Sequence, residues 1–516
     1  MNDKYKKIEK EVNKMKRNMK KIVSLMLVLF MAIGVFIPMV RAANLSEKGT
    51  ITVSGIDVND AEYVTVSAYR LMNVNVDTSV NQPADPLYSW VEKVQTWINA
   101  NYPEYKDAND FNTDNVEDNK TDVAEFYDKL SAAIRTEGFG LEVEKQISGN
   151  GDISDLLMGN YLILIENGMK VYRPSAVNLI PEFNETTKEW QISTPTVEVK
   201  SSNATITKTA SVHDVKFGDK VTYTITTDVP NYPYYALHKN YVVSDILDLG
   251  LTYDENIKIV GVKGEVETNL TNGFTIESGA KLKTEEKDAT WQLVFDYETI
   301  KEYEKLVITY SATVNENANL GKAGNANEAY LEYTNNPYGE NDYHKGEYKK
   351  VVVYTYGLDL TKIDAREDKT LAGAKFKLAL TNEKNYEALK VVKISNGHYR
   401  LAVESDTDAI LEVEVDENGK LLIDGLATGT YYLWETKAPD GYNISSKPFE
   451  LELSDEETDG IVDDGENEDG YLVKNIEAKK GFLLPTTGGI GTVIFTMIGI
   501  ALMGLGITLV LRKKRA

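Results

Sequence analysis

Apolar side chains follow two different periods along this chain. In residues 49–55 and 61–69 about every second residue is apolar or β-branched, which is typical of strands with one buried face. In residues 87–98 and 123–134 the apolar positions recur at intervals of three and four, which predicts two amphipathic helices whose aromatic stripes face the core. We therefore predict that residues 43–200 form a β domain with a helical insertion.

The middle of the chain is almost wholly β by the same criterion. Alternating runs such as 220–227 and 306–314 are separated by turn residues, and similar short runs continue toward the C-terminus. We divide this part into two further domains, at 201–350 and 351–479. Short strands with regular turns predict an all-β fold class of tandem immunoglobulin-like β-sandwich domains.

The N-terminal end carries a long apolar segment. Residues 22–40 follow two lysines and lead into small residues, which is typical of a cleaved secretory signal peptide. We assign residues 1–42 to this peptide, with cleavage after Ala43 as an alternative. Met15 and Met19 are alternative start sites.

The C-terminal end carries a second apolar segment. Residues 490–511 contain no charge and, at about 1.5 Å per residue, are long enough to cross roughly 30 Å of hydrocarbon as a helix. The basic cluster at 512–515 is expected to stay on the cytoplasmic side. We predict a C-terminal transmembrane helix within a terminal region at 480–516.

Composition narrows the function classes. The chain has no cysteine, which excludes disulfides and thiolate metal sites in an exported protein. Its formal net charge of −24 disfavours nucleic acid as a partner. Four scattered histidines form no metal pattern, and the acidic stretch 455–469 lacks full calcium-loop spacing, so we interpret it as a solvated loop. We expect no cofactor, no metal and no enzyme activity on an external substrate.

Strand parity places charged side chains inside the third domain. Leu358, Leu360 and Lys362 share one apolar face, so the lysine is predicted to point inward. By the same argument Glu435 and Asn475 point into this core. Desolvation favours the neutral forms of an amine and a carboxyl, and a neutral amine is a nucleophile. The predicted product is a Lys–Asn isopeptide bond formed with loss of ammonia.

The second domain repeats this arrangement. Parity predicts that Lys208 and Asp245 point into one core, together with Asn327. Asn325 has the same parity and is the rival acceptor. An ordinary core with one lysine extending toward solvent remains the alternative.

Two resemblances add to this interpretation. The stretch 431–442, YYLWETKAPDGY, resembles the E-box of Gram-positive pilins, and the third domain resembles their CnaB-type domain. The resemblance implies that Glu435 catalyses a bond between Lys362 and Asn475. The second domain resembles the fimbrial isopeptide-formation domain, which implies that Asp245 catalyses the corresponding Lys–Asn bond.

The C-terminal region resembles the LPXTG cell-wall sorting signal. The motif precedes the apolar segment and the basic tail, and its residues are Leu484, Pro485, Thr486, Thr487 and Gly488. The resemblance implies that a sortase cuts after Thr487 and joins that residue to an amine. The implied partners are pilin-type and housekeeping sortases, other copies of this chain, peptidoglycan, minor pilins and host surface ligands.

A further resemblance concerns the amine that receives Thr487. Residues 190–200 resemble a pilin motif, with a tryptophan, a valine-rich approach and Lys200, although Glu198 and Val199 replace the usual Tyr-Pro. Lys200 is the candidate intersubunit lysine, and a surface lysine between domains is the alternative. The layout predicts the shaft subunit of a cell-wall-anchored surface pilus. The alternative is a monomeric wall-anchored adhesin, or a minor tip or base pilin.

Overall fold

The computed structural model describes residues 44–136, 138–202, 204–339, 343–463, 468–480 and 496–505. The predicted signal peptide and the motif at 484–488 lie outside the described residues. No helix in the described ranges combines the length and apolarity needed to cross a bilayer. Of the predicted span at 490–511, only residues 496–505 are described, and they are helical.

The first domain combines two larger sheets, two two-stranded sheets formed by β9 with β10 and by β7 with β12, and a helical insertion. β1 pairs with β11 and β5, and the facing sheet has the order β3-β2-β6-β8 with β4 beside β2. Its elements are β1 Gly49–Ser54, β2 Thr65–Asp77, β3 Gln82–Trp90, α1 Glu92–Asn101, 3₁₀ turns Pro103–Tyr105 and Ala108–Asp110, α2 Thr113–Asp118, α3 Val123–Ile134, β4 Lys145–Ser148, β5 Gly151–Leu156, β6 Gly159–Glu166, β7 Val171–Tyr172, β8 Ser175–Leu179, β9 Pro181–Asn184, β10 Glu189–Ile192, β11 Thr196–Glu198 and β12 Ser201–Ser202.

The helical insertion forms its own apolar cluster against one face of the first domain. Val94 and Ile98 of α1 and Phe126 and Leu130 of α3 are fully buried there. The prediction that the first helix includes residues 87–90 is wrong, because these residues belong to β3. The β2–β3 ladder continues to the end of this stretch, with Tyr88 opposite Val74 and Trp90 opposite Met72, so the helix begins only at Glu92.

The second domain is a sandwich of two sheets. One sheet has the order β13-β14-β21-β17-β18 with β16 on β21, and the other has the order β19-β20-β15-β22-β23. Its elements are β13 Ile206–Ala210, β14 Lys220–Asp228, β15 Tyr241–Leu247, β16 Leu251–Tyr253, β17 Lys258–Lys263, β18 Val266–Leu270, β19 Phe274–Glu277, β20 Trp291–Phe295, α4 Tyr297–Ile300, β21 Lys305–Val314, a 3₁₀ turn Gly321–Ala323, β22 Asn325–Thr334 and β23 Tyr343–Val353.

The third domain is a second two-sheet sandwich. Its sheets have the orders β26-β27-β29-β24-β32 and β28-β25-β30-β31, and the first strand runs parallel to the last. Its elements are β24 Tyr356–Asp364, β25 Lys375–Ala379, β26 Val391–Ser395, β27 His398–Leu401, β28 Val413–Glu414, β29 Lys420–Leu426, β30 Gly429–Lys437, β31 Phe449–Leu453 and β32 Tyr471–Ala478.

A close joint connects the second and third domains. Buried apolar side chains of both belong to one continuous core. The Phe217 amide donates to the carbonyl of Gly425 at 2.9 Å. The Tyr356 hydroxyl lies 2.6 Å from Asp455 and 3.0 Å from Asp214, so it links carboxylates of both domains. Because β23 and β24 are separated by only two residues, the chain has little slack at this joint.

Candidate functional site

Three predicted site residues meet in the core of the second domain. Lys208 lies on β13 in one sheet, while Asp245 on β15 and Asn327 on β22 lie in the facing sheet. The side chains of Lys208 and Asp245 have no exposed surface, and Asn327 is also fully buried. The inward parity predicted for all three is observed, and the sandwich brings the two sheets close enough for them to touch.

The lysine ammonium has three acceptors around it. Lys208 Nζ contacts Asp245 Oδ2, and it lies 2.8 Å from Asn327 Oδ1 and 2.7 Å from the Tyr310 hydroxyl. An ammonium has three donors, so each of them has a partner here. This is a complete buried network, and one of its members is the carboxamide that could react with the amine.

Tyr310 is the member of this site that the sequence did not identify. It lies on β21, whose Leu306, Ile308 and Tyr310 point into the core. Its hydroxyl donates to Asp245 Oδ1 at 2.7 Å and accepts from Asn327 Nδ2 at 2.8 Å. The available signal was a tyrosine at an inward position, because a buried phenol hydroxyl usually has a hydrogen-bond partner.

Aromatic rings enclose the site. The ring of Tyr310 stacks on Tyr223 with centroids 5.5 Å apart and meets the edge of Trp291 at 5.0 Å. Lys208 Nζ lies 5.3 Å from the ring centroids of both tyrosines. Such a surrounding keeps the local dielectric low and strengthens the interactions among the polar groups.

Burial shifts the pKa values of both charged groups in this site, Lys208 and Asp245. Desolvation lowers the pKa of the Lys208 ammonium, although the carboxylate of Asp245 opposes that shift. Desolvation raises the pKa of Asp245 to about 6, against the opposing effects of Lys208 and Tyr310. Both shifts favour transfer of a proton from the amine to the carboxyl, which leaves a neutral amine beside the carboxamide.

The rival acceptor has a different role. Asn325 is fully buried, but its side chain bonds the backbone of Asn319 in both directions, at 2.8 and 3.0 Å. It therefore fixes the turn before β22. The structure brings Asn327, and not Asn325, to Lys208.

The third domain brings together two of its three predicted residues. Lys362 Nζ lies 2.8 Å from Glu435 Oε1, and both side chains are almost fully buried. Burial lowers the pKa of Lys362. The amine also lies 4.7 Å from the ring centroid of Phe449 and 5.4 Å from that of Phe376.

The predicted inward direction of Asn475 is wrong. In β32 the residues Leu472 and Ile476 are buried, whereas Val473 is 49% exposed and Asn475 is exposed. The reason is Tyr471, whose ring covers Gly357 on the outer face of the sheet and whose hydroxyl donates to Asp424 at 2.7 Å. Because side chains alternate along a strand, this places Asn475 on the outer face as well.

The remaining predicted positions are partly described. Lys200 is exposed between β11 and β12, where the alternation leaves Val197 and Val199 buried. In the acidic stretch, Asp455 is buried and accepts from the Gly460 amide at 2.7 Å. The described residues contain no cluster of three or more metal-ligating side chains.

Comparison with known families gives three matches. A prealbumin-like fold domain, SpaA, matches residues 357–468. The Cna-B-like domain of Gram-positive pilin backbone subunit 2 matches residues 217–337. The LPXTG cell wall anchor motif matches residues 476–516. These matches lie within the second domain, within the third domain and in the C-terminal region.

Two characterised proteins are similar in sequence. The trypsin-resistant surface T6 protein of Streptococcus pyogenes serotype M6 is 28% identical over 377 residues, which is 61% of this chain and 70% of that protein. Fimbrial subunit type 1 of Actinomyces viscosus is 26% identical over 341 residues, which is 58% of this chain and 61% of that protein.

The chain is also similar in fold to solved structures. The T6 backbone pilin of S. pyogenes serotype M6, which has a modular three-domain structure, aligns with a TM-score of 0.55 at 18% identity. The alignment covers 84% of this chain and 99% of that chain.

Proposed function

We infer that this chain, a Gram-positive backbone pilin with an LPXTG cell-wall anchor, forms the shaft of a surface pilus and closes its second domain with a Lys208–Asn327 isopeptide bond. The observation that carries the covalent bond is the contact of Lys208 Nζ with both Asp245 and Asn327 in a fully buried core. The chain thereby reinforces itself without cysteine.

The chemistry requires only groups already in contact. Asp245 accepts a proton from Lys208, and the neutral amine attacks the carboxamide carbon of Asn327. The C–N bond to Nδ2 breaks, and that nitrogen leaves as ammonia. Asp245 acts as the general base and acid because burial favours its neutral form.

The proposed bond joins the two sheets of the second domain. Lys208 belongs to the first strand, β13, and Asn327 to β22, which is followed by β23. The bond therefore does not reach the last strand of the domain. It still crosses the sandwich, so separating β13 from the facing sheet would require breaking a covalent bond.

A Lys362–Asn475 bond in the third domain remains a prediction with a stated structural requirement. Lys362 and Glu435 already form a buried pair. Asn475 would have to exchange faces, which needs a shift of β32 by one residue relative to β24. Without that shift the third domain contains a buried ion pair and no covalent bond.

Measurement of the intact mass distinguishes an ectodomain with one isopeptide bond from an ectodomain with two bonds or none. The mature ectodomain is expected to lack one ammonia relative to its calculated mass because of the Lys208–Asn327 bond. A second missing ammonia that Glu435→Ala restores would show that the Lys362–Asn475 bond also forms. An ectodomain with its full calculated mass would overturn both bonds.

Lys200 is the proposed amine for polymerisation. It is exposed between β11 and β12 near the end of the first domain, so the Thr487 acyl group of another copy could reach it. Changing Lys200→Arg keeps the charge but removes the primary amine. We expect the high-molecular-weight ladder of wall-extracted protein to disappear from a denaturing gel, leaving one wall-anchored band.

The control is Lys188→Arg. Lys188 is also exposed and lies in the hairpin between β9 and β10, paired with Glu185. This variant should keep the ladder. A ladder that survives Lys200→Arg would assign the intersubunit link to a different lysine.

A further inference from the structure

The hydroxyl of Tyr310 lies between the carboxyl and the nitrogen that must leave. It donates to Asp245 Oδ1 at 2.7 Å, and it accepts from Asn327 Nδ2 at 2.8 Å and from Lys208 Nζ at 2.7 Å. A phenol hydroxyl has one proton and two lone pairs. All of its hydrogen-bonding capacity is therefore directed at groups of the proposed reaction.

The two oxygens of Asp245 face different partners. Oδ2 contacts Lys208 Nζ, whereas Oδ1 accepts from Tyr310. The hydrogen bonds of Asn327 Nδ2 within the described residues include Tyr310 and do not include Asp245. The carboxyl is thus placed to take a proton from the amine, and Tyr310 is the contact through which a proton could reach Nδ2.

We propose that Tyr310 is a catalytic residue that carries a proton from Asp245 to Asn327 Nδ2 during formation of the isopeptide bond. This inference rests on the proposed Lys208–Asn327 bond and assigns the step that releases ammonia. An amide nitrogen is a poor leaving group unless it is protonated. A proton donor in contact with Nδ2 therefore allows this nitrogen to leave as ammonia.

The proton transfers balance along this path. Lys208 first loses a proton through the Tyr310 hydroxyl, which accepts from Nζ and donates to Asp245 Oδ1, so the reaction begins with a neutral amine and with the Asp245 proton on Oδ1. In this state Tyr310 accepts from Oδ1 and directs its own proton toward Nδ2. Nζ forms a bond to the Asn327 carbon and gives one proton to Asp245 Oδ2. Tyr310 gives its proton to Nδ2 and receives the proton held at Asp245 Oδ1. The C–Nδ2 bond breaks, ammonia leaves, and both Tyr310 and Asp245 end protonated.

The surroundings of Tyr310 suit this role. Stacking on Tyr223 and the edge contact with Trp291 hold the ring in place. Burial and the nearby carboxylate raise the pKa of Tyr310 well above its usual value, so the phenol enters the reaction with its proton. Around Lys362 the corresponding rings are Phe376 and Phe449, which have no hydroxyl to relay a proton.

The test follows bond formation in time. The full chain is synthesised in a cell-free system, samples are stopped in acid at intervals, and loss of ammonia is read by intact mass. Tyr310→Phe is expected to slow the loss from the second domain by about a hundredfold or more, the usual range for general acid catalysis. Equal rates in wild type and Tyr310→Phe would overturn the relay while leaving the bond intact.

Tyr241→Phe is the matched control. Tyr241 is fully buried in the same core, but its hydroxyl bonds Thr227 and the carbonyl of Asp228, each at 2.7 Å. This variant removes a comparable hydroxyl away from the reacting atoms and should react at the wild-type rate. A loss of rate as large as that of Tyr310→Phe would assign the effect to packing and overturn the relay.

A second variant tests the relay in case Tyr310→Phe does not fold. Incorporating 3-fluorotyrosine at position 310 keeps the hydroxyl and makes the phenol more acidic. The relay predicts a changed rate of ammonia loss, whereas an unchanged rate would overturn it. If the wild-type chain never loses ammonia, the Lys208–Asn327 bond itself is wrong and the relay falls with it.

Discussion

Asn327→Ala is expected to give an ectodomain that regains the ammonia of the second domain and unfolds at a much lower temperature. In the chain-entropy view, a cross-link that closes a loop on the order of 100 residues contributes about 4 to 5 kcal/mol. The substitution also leaves Lys208 and Tyr310 without a carboxamide partner. Intact mass and calorimetry measure the two effects on one sample.

Asn325→Ala provides the matched comparison. Asn325 lies two residues away on the same strand and is equally buried, but its side chain bonds Asn319 rather than Lys208. This variant should retain the ammonia deficit and lose only about 1 to 3 kcal/mol for the unmade hydrogen bonds. If Asn325→Ala abolishes the deficit and Asn327→Ala preserves it, the acceptor assignment is reversed.

Gly425→Ala is expected to loosen the joint between the second and third domains. A Cβ at this position would lie 2.3 Å from the ring of Phe217, and the glycine has φ of +82°. Overpacking costs about 1 to 3 kcal/mol and the left-handed conformation adds roughly 1 to 2 kcal/mol. We expect a lower unfolding temperature and faster proteolysis near the joint, because Phe217 must leave its position against the third domain.

Gly373→Ala is the control that separates the cost of overpacking against Phe217 from the cost of the left-handed backbone conformation. Gly373 has φ of +79°, and an added Cβ would meet no atom within 4 Å. This variant should show only the cost of the backbone conformation and leave the joint resistant to protease. Equal effects of the two substitutions would mean that contact with Phe217 does not hold the domains together.

The joint also predicts how the second and third domains respond to load. Because the second and third domains share one continuous apolar core, they should unfold together rather than one after the other. The proposed bond lies within this unit.

Local sequence determined the inward direction of most site residues. The inward direction of five of them follows from strand parity alone, because side chains alternate with a period of two. These residues are Lys208, Asp245, Asn327, Lys362 and Glu435. The β-rich character and the helix Val123–Ile134 follow from the same periodic patterns. The E-box stretch and the LPXTG motif were recognisable because short motifs occupy consecutive residues.

Tertiary structure decided which of these side chains meet. Asn325 and Asn327 have the same parity, and only the packing of the two sheets brings Asn327 to Lys208 while the turn engages Asn325. Tyr310 joins the site from a distant strand, so no local pattern linked it to the lysine. The direction of Asn475 was mispredicted because Tyr471 packs over Gly357 on the outer face, a contact between strands that parity cannot reveal. Periodicity shows which residues of a strand share a face, whereas contacts between strands decide which of the two faces is buried in the core.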